Sequence, residues 1–173
     1  DGCQPLFLYR SNFDNKEASY LGIKGGSPMN SHAHMDSGSF IYEWGGVRWA
    51  VELGSQDYHS LESKGIGLWK KGQQSDRWRV YRLNNYSHNT LTINEQLHQY
   101  KGMATMEKVI NKKKIQGVQF DLSSLFVNTK SVKRTIYIDN KAKVTCIDKI
   151  VNHNSVTKVR WNMCTFAKAR IVD

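Results

Sequence analysis

The chain has 173 residues, 39% hydrophobic and 23% charged, an ordinary composition for one globular domain. No apolar run approaches the roughly 20 residues that would cross a bilayer, which argues against a membrane span. The 25 Lys and Arg against 15 Asp and Glu leave a net charge of +10, which favours polyanionic partners: nucleic acid, anionic lipid or an acidic polysaccharide.

The chain opens DGCQPLF, with neither a leader-like apolar core nor an initiator Met, which reads as a processing boundary. From there the pattern is strand-like: short runs rich in Val, Ile, Tyr, Trp and Thr between Gly, Asn, Asp and Ser. Strands are expected at Leu6–Arg10, Tyr20–Lys24, Ser39–Trp44 and Val47–Leu53, the last two joined by Gly45-Gly46, a good hairpin signal. The stretch 59–78 reads as a short irregular or helical insertion, with Leu61–Lys70 its most helical part, weakened by Gly65 and Gly67. Further strands are expected at Arg79–Leu83, Thr90–Ile93, Thr105–Val109 and Gly117–Asp121, with Lys112-Lys113-Lys114 as a solvated hairpin tip. Arg134–Ile138 and Lys143–Val151 alternate well about an Asp139-Asn140 turn, and Lys158–Thr165 and Lys168–Val172 come after them. Spacing by two puts Val159, Trp161 and Met163 on one face, which reads as core, and Trp49, flanked by Val47 and Val51 at the same spacing, reads as core too. Two prolines, no long linker and no internal repeat give one all-β unit over 1–173, an antiparallel β-sandwich. The last run, ARIVD, ends abruptly, which suggests an edge open to pairing and a route to a homodimer. Cys3, Cys146 and Cys164 lack metal-finger spacing; the last two read as buried free thiols in segments that could pair with each other.

Chemistry concentrates in the first hundred residues, which hold His32, His34, His59, His88 and His98 of the six histidines. In an extended backbone His32, His34 and Asp36 of the segment NSHAHMDSGSF point to one side, roughly 6–7 Å apart. Two imidazoles and a carboxylate can bind a cation or run acid–base chemistry, and a hydrogen-bonded loop cluster is the plain alternative. Glu52 in AVELGSQDY and His88 in YSHNTLTIN could complete a zinc site from separate strands. A two-residue turn at Gly45-Gly46 would set Glu52 across from Ser39 and His34 on the opposite face, so such a site needs an irregularity, either a longer turn or a bulge at Ser37-Gly38. Tyr42, Trp44, Tyr58, Trp69 and Trp78 are candidate stacking surfaces; Lys70, Lys71, Arg77 and Arg79 around Trp69 and Trp78 suit an anionic sugar chain.

The runs SHAHMDSGSFIYEWGGVRWAVELGSQDY and LWKKGQQSDRWRVYRLNNYSHNTLTINEQLHQ resemble the heparinase II/III-like domain of bacterial polysaccharide lyases, and the tail IDKIVNHNSVTKVRWNMCTFAKARI is similar to the later part of that domain. The resemblance implies β-elimination of uronic-acid polysaccharides, with heparin or heparan sulfate first among substrates. It implies His32 as catalytic base or charge neutraliser, and His34, Glu52 and His88 as Zn²⁺ ligands. Asp36, Asn89, Tyr58, Arg77 and Trp78 would support the site or touch substrate. That family generally carries Asp where this chain has Glu52; one more methylene moves the carboxylate by over an ångström, and Asp36 is the substitute. It further implies a preceding α/α-toroid domain bearing other catalytic groups, a periplasmic or secreted location, and a fragment inactive by itself. A non-catalytic carbohydrate-binding β-sandwich is the competing reading. A nucleic-acid-binding domain rests on charge alone, and no zinc knuckle, RNA-binding strand signature or basic helix supports it.

Overall fold

The computed structural model describes residues 2–153 and 158–170. Its first sheet is an antiparallel meander of β1 (Leu6–Arg10), β2 (Tyr20–Lys24), β3 (Phe40–Trp44) and β4 (Val47–Ala50). A second meander joins β6 (Thr105–Lys112), β7 (Ile115–Asp121), β8 (Thr129–Asp139) and β9 (Val144–Asn152). Between them β5 (Leu91–Ile93) pairs with β10 (Val159–Trp161). The two larger sheets share one core. Leu21, Ile23, Phe40 and Ala50 of the first meet Val118, Phe120, Val132, Ile136 and Ile138 of the second, with Leu91 and Ile93 of β5 in the same cluster. This is the all-β sandwich expected from short alternating strands.

The strongest alternation gives the most regular strand: β8 buries Val132, Arg134, Ile136 and Ile138 and turns the residues between them outward. Its hairpin to β9 runs through Asp139–Lys143, longer than a two-residue turn, with Ala142 in a left-handed conformation at φ 62°. Gly45 and Gly46 both take positive φ, 62° and 73°, as a type I′ hairpin requires. Just beyond, the register slips: Glu43 faces Arg48 but Tyr42 faces Ala50, leaving Trp49 as an extra residue. Lys112–Lys114 forms the exposed β6–β7 tip, as expected.

Several expectations are corrected. Trp49 is not core; as the bulged residue it is half-exposed and its indole N–H bonds Trp44 O. Val159, Trp161 and Met163 are likewise at the surface, because β10 lies at the margin of a two-stranded sheet, although Trp161 leans on Phe40. Arg79–Leu83 is no strand. Caps from Ser75 and Asn84 favour 3-10 turns at Asp76–Arg79, Tyr81–Leu83 and Asn85–Ser87. The helix of the insertion is α1 (Tyr58–Glu62), which is capped by Asp57 and ends before the glycine-broken part of the expected stretch. Leu61, Leu68, Val80 and Leu83 form a small second core beneath it. Cys146 and Cys164 do not sit on paired strands, since β10 pairs with β5; all three thiols are free, and Cys3 is exposed. Lys168–Arg170 is not strand, and the rest of that expected run lies outside the described residues. Among the described residues no helix is long and apolar enough to cross a membrane.

Candidate functional site

The HxHxD segment is not an extended strand. Ala33 N–H bonds Asn30 O, Ser39 N–H bonds Asp36 O, and His32 adopts a left-handed φ of 58°. Three anchors fix this loop from outside. Met35 N–H donates to Leu83 O at 2.9 Å, Arg77 donates through Nε and a terminal nitrogen to Ala33 O at 3.2 and 3.0 Å, and Thr90 Oγ1 donates to Ser37 O at 2.8 Å. The consequence is a division of labour within the motif. His34 and Asp36 turn inward, and His32 turns out to an exposed surface.

The inward half meets the His-Asn-Thr segment. The His34 and His88 ring centroids are 5.4 Å apart, and donor atoms of His34, Asp36 and His88 lie within 4.8 Å of one another. Burial pushes the His34 imidazole down to about 4, against the opposing pull of Asp36 and aided by His88 and Arg77, so it stays neutral near pH 7 and keeps a lone pair for a metal. His88 is buried; its Nδ1 lies 2.6 Å from Glu52 Oε2, and its Nε2 has no partner among the described residues. In the neutral ring, a carboxylate at Nδ1 draws the proton there and leaves Nε2 a bare acceptor, an arrangement that costs about 1–3 kcal/mol if nothing fills it. Burial alone would raise the Glu52 carboxyl, but bonds from His88, Ser39 and Asn89 N–H hold it below its usual value. A neutral His34, an unpartnered Nε2 on His88 and a convergent carboxylate fit a divalent cation such as zinc.

Around this centre the sequence-selected residues divide. Asn89 is wholly buried and works as a tie, donating to Phe40 O and Val51 O and receiving Cys164 N–H. Trp78 is buried with its indole on Gly72 O, and Arg77 is buried with its guanidinium on the loop. Both still line the depression beside His32. Tyr58 does reach His32: its hydroxyl lies 3.3 Å from His32 Nδ1 and accepts from Arg77 at 3.3 Å, with the two rings stacked at 5°. Trp69 stands edge-on to both rings. His32, Trp69, Lys70, Lys71, Arg77 and Tyr100 line a depression of about 170 Å³. Arg79 stays outside it, exposed and paired with Asp76.

Three contributors were not singled out from sequence. Lys24, at the end of β2, places Nζ 2.8 Å from both oxygens of Asp36. Ser39 donates to Glu52 Oε1. Arg134 carries the one visible signal, a charge at an inward position of the β8 alternation; it donates to Gly38 O at 2.8 Å and Asn89 O at 2.9 Å, joining both site segments to the second sheet.

None of the curated proteins compared with the chain matches it. Among solved structures, the product of a heparinase III gene superposes with a TM-score of 0.70 at 14% identity, covering 96% of this chain and 24% of its own. Heparan sulfate lyase HepC from Pedobacter heparinus does so at 0.66 and 19% identity, covering 92% and 23%. The chain therefore spans about a quarter of the length of these structures. Residues 9–169 match the family described as "Heparinase II/III-like, C-terminal", and with that match over nearly the whole sequence, the chain belongs to this family.

Proposed function

We propose that the chain is the zinc-binding β-domain of a polysaccharide lyase that cleaves uronic-acid-containing glycosaminoglycans, heparin or heparan sulfate, by β-elimination. The observation that carries this reading is the exposed His32, braced by Tyr58 and bordered by Trp69, Lys70 and Lys71, two residues before the His34 that meets His88. Membership of the heparinase II/III-like family supports it, as do the names of the superposed structures.

Elimination removes the proton on the carbon next to the uronate carboxylate, forms a carbon–carbon double bond, and expels the glycosidic oxygen, which leaves with a proton. His32 serves as base. Tyr58 Oη has two lone pairs, so it can accept both from Arg77 and from His32 Nδ1–H; in that tautomer His32 Nε2 is the nitrogen left to take the substrate's proton. Lys70 and Lys71 attract the polyanion, and Trp69 offers a face to a sugar ring. Zinc, held by His34 and His88 with a carboxylate, would add fixed positive charge and cross-link the loop to the segment before β5. The acid and the remaining neutralising groups would come from an N-terminal helical domain forming the opposite wall of the cleft. A polymeric substrate of this kind sets the reaction in the periplasm or outside the cell.

The test is His32→Ala in the full-length protein. Ultraviolet absorbance of the unsaturated product should fall by about 100- to 10,000-fold, the usual worth of a general base, with zinc content and thermal midpoint unchanged. Undiminished cleavage would instead favour a non-catalytic carbohydrate-binding role for this sandwich.

A further inference from the structure

We infer that Asp36, not Glu52, supplies the carboxylate that closes the zinc site, and that Glu52 is a positioning residue for His88; this rests on the zinc reading above. The contrast lies in how each carboxylate is used. Both oxygens of Glu52 are occupied by fixed donors: Oε2 takes His88 Nδ1 at 2.6 Å, and Oε1 takes Ser39 Oγ and Asn89 N–H. The bond at Oε2 puts the proton on Nδ1 and aims the bare, buried Nε2 away from Glu52. A Glu52 turned onto the cation would release that ring and leave the Ser39 hydroxyl to find a new acceptor.

Asp36 is in the opposite position. It belongs with His34 and His88 to the group whose donor atoms fall within 4.8 Å of one another. Its side-chain partner among the described residues is Lys24 Nζ, 2.8 Å from each oxygen, which uses one lone pair on each and leaves the others open. Lys24 is thus the counter-charge that keeps this carboxylate in place beside the imidazoles.

The experiment is zinc affinity of the full-length protein, by competition with a chromophoric chelator, for the wild type, Asp36→Asn, Glu52→Gln and Glu52→Ala. Asp36→Asn should weaken zinc by more than about 100-fold. Glu52→Ala should cost about 10- to 100-fold, as losses of a ligand's orienting partner do. Glu52→Gln, whose amide oxygen can still accept from His88 Nδ1–H, should recover most of that loss. Glu52→Gln losing zinc as completely as Asp36→Asn, or Asp36→Asn retaining wild-type affinity, would overturn the assignment. Should a variant misfold, nitrogen NMR of the zinc-loaded wild type decides: zinc on His88 Nε2 with a proton on Nδ1 is expected, and zinc on Nδ1 refutes it. A wild type that binds no zinc sinks the metal reading and this assignment together. Cleavage indifferent to His32, with zinc intact, sinks only the lyase reading.

Discussion

Arg134 has no exposed surface, although it sits between Val132 and Ile136 on the inward face of β8. Its charge is matched by a two-pronged pair with Asp148, 2.8 Å at each prong, while its third nitrogen serves the carbonyls of Gly38 and Asn89. Arg134→Met leaves the Asp148 carboxylate with no counter-charge and two carbonyls with no donor. Breaking one side of such a pair costs about 3–5 kcal/mol, to be read from urea unfolding; a loss under about 1 kcal/mol would show the site segments held by other means. His98 gives the pH counterpart. It is wholly buried against Phe126 with Nε2 on Leu91 O, and burial pushes it down to about 4 from 6.5. Between those values the unfolded chain binds a proton that the folded chain refuses, so stability is full above pH 6.5 and falls as pH drops toward 4. The loss should approach about 3 kcal/mol. Denaturant midpoints across that window should show it, and His98→Gln should reduce the slope to the part that His34 contributes.

At the scale of elements, the sharpest constraint is Gly117 in β7, opposite Tyr137 of β8. A Cβ there would stand 2.3 Å from Ile136 O and 2.5 Å from Tyr137 Cβ, and the carbonyl belongs to paired backbone that cannot turn aside. Gly117→Ala should therefore destabilise by about 3 kcal/mol, the upper end for overpacking, whereas Gly45→Asn, in open space with a compatible left-handed φ, should be nearly neutral by thermal unfolding. These elements also show what was legible in advance. Strand positions were readable wherever apolar residues alternate between turn residues, as in β2, β7 and β8. Exposure was not: Trp49 and Trp161 keep strand spacing, but which face meets the core depends on a bulge and on a sheet only two strands wide. Val80 and Leu83 looked like strand residues because three-residue spacing in a 3-10 turn buries the same kinds of side chain. In the site, the pairing of His34 with His88 came from the resemblance to a family; the outward turn of His32 came from a left-handed backbone that no spacing rule announces.

Across the whole molecule the excess of ten positive charges attracts any polyanion, so specificity must come from where the lysines stand. Lys112–Lys114 forms a hairpin tip, while Lys70 and Lys71 border the depression that holds His32 and Trp69. Were attraction merely diffuse, either set would matter equally. If the sugar chain threads past His32, neutralising Lys70 and Lys71 to Ala should weaken heparin binding severalfold and reduce its salt dependence, while the same change at Lys112–Lys114 should only lower the background. Binding should fall by more than about tenfold between roughly 0.05 and 0.5 M salt, as the screening length shortens. The isolated chain spans about a quarter of the structures it superposes on and supplies one wall of the cleft in this reading. It should bind heparin in this manner yet release no unsaturated product. Turnover by the chain alone would mean that His32 and its neighbours carry both base and acid, and that the opposite wall serves only to hold substrate.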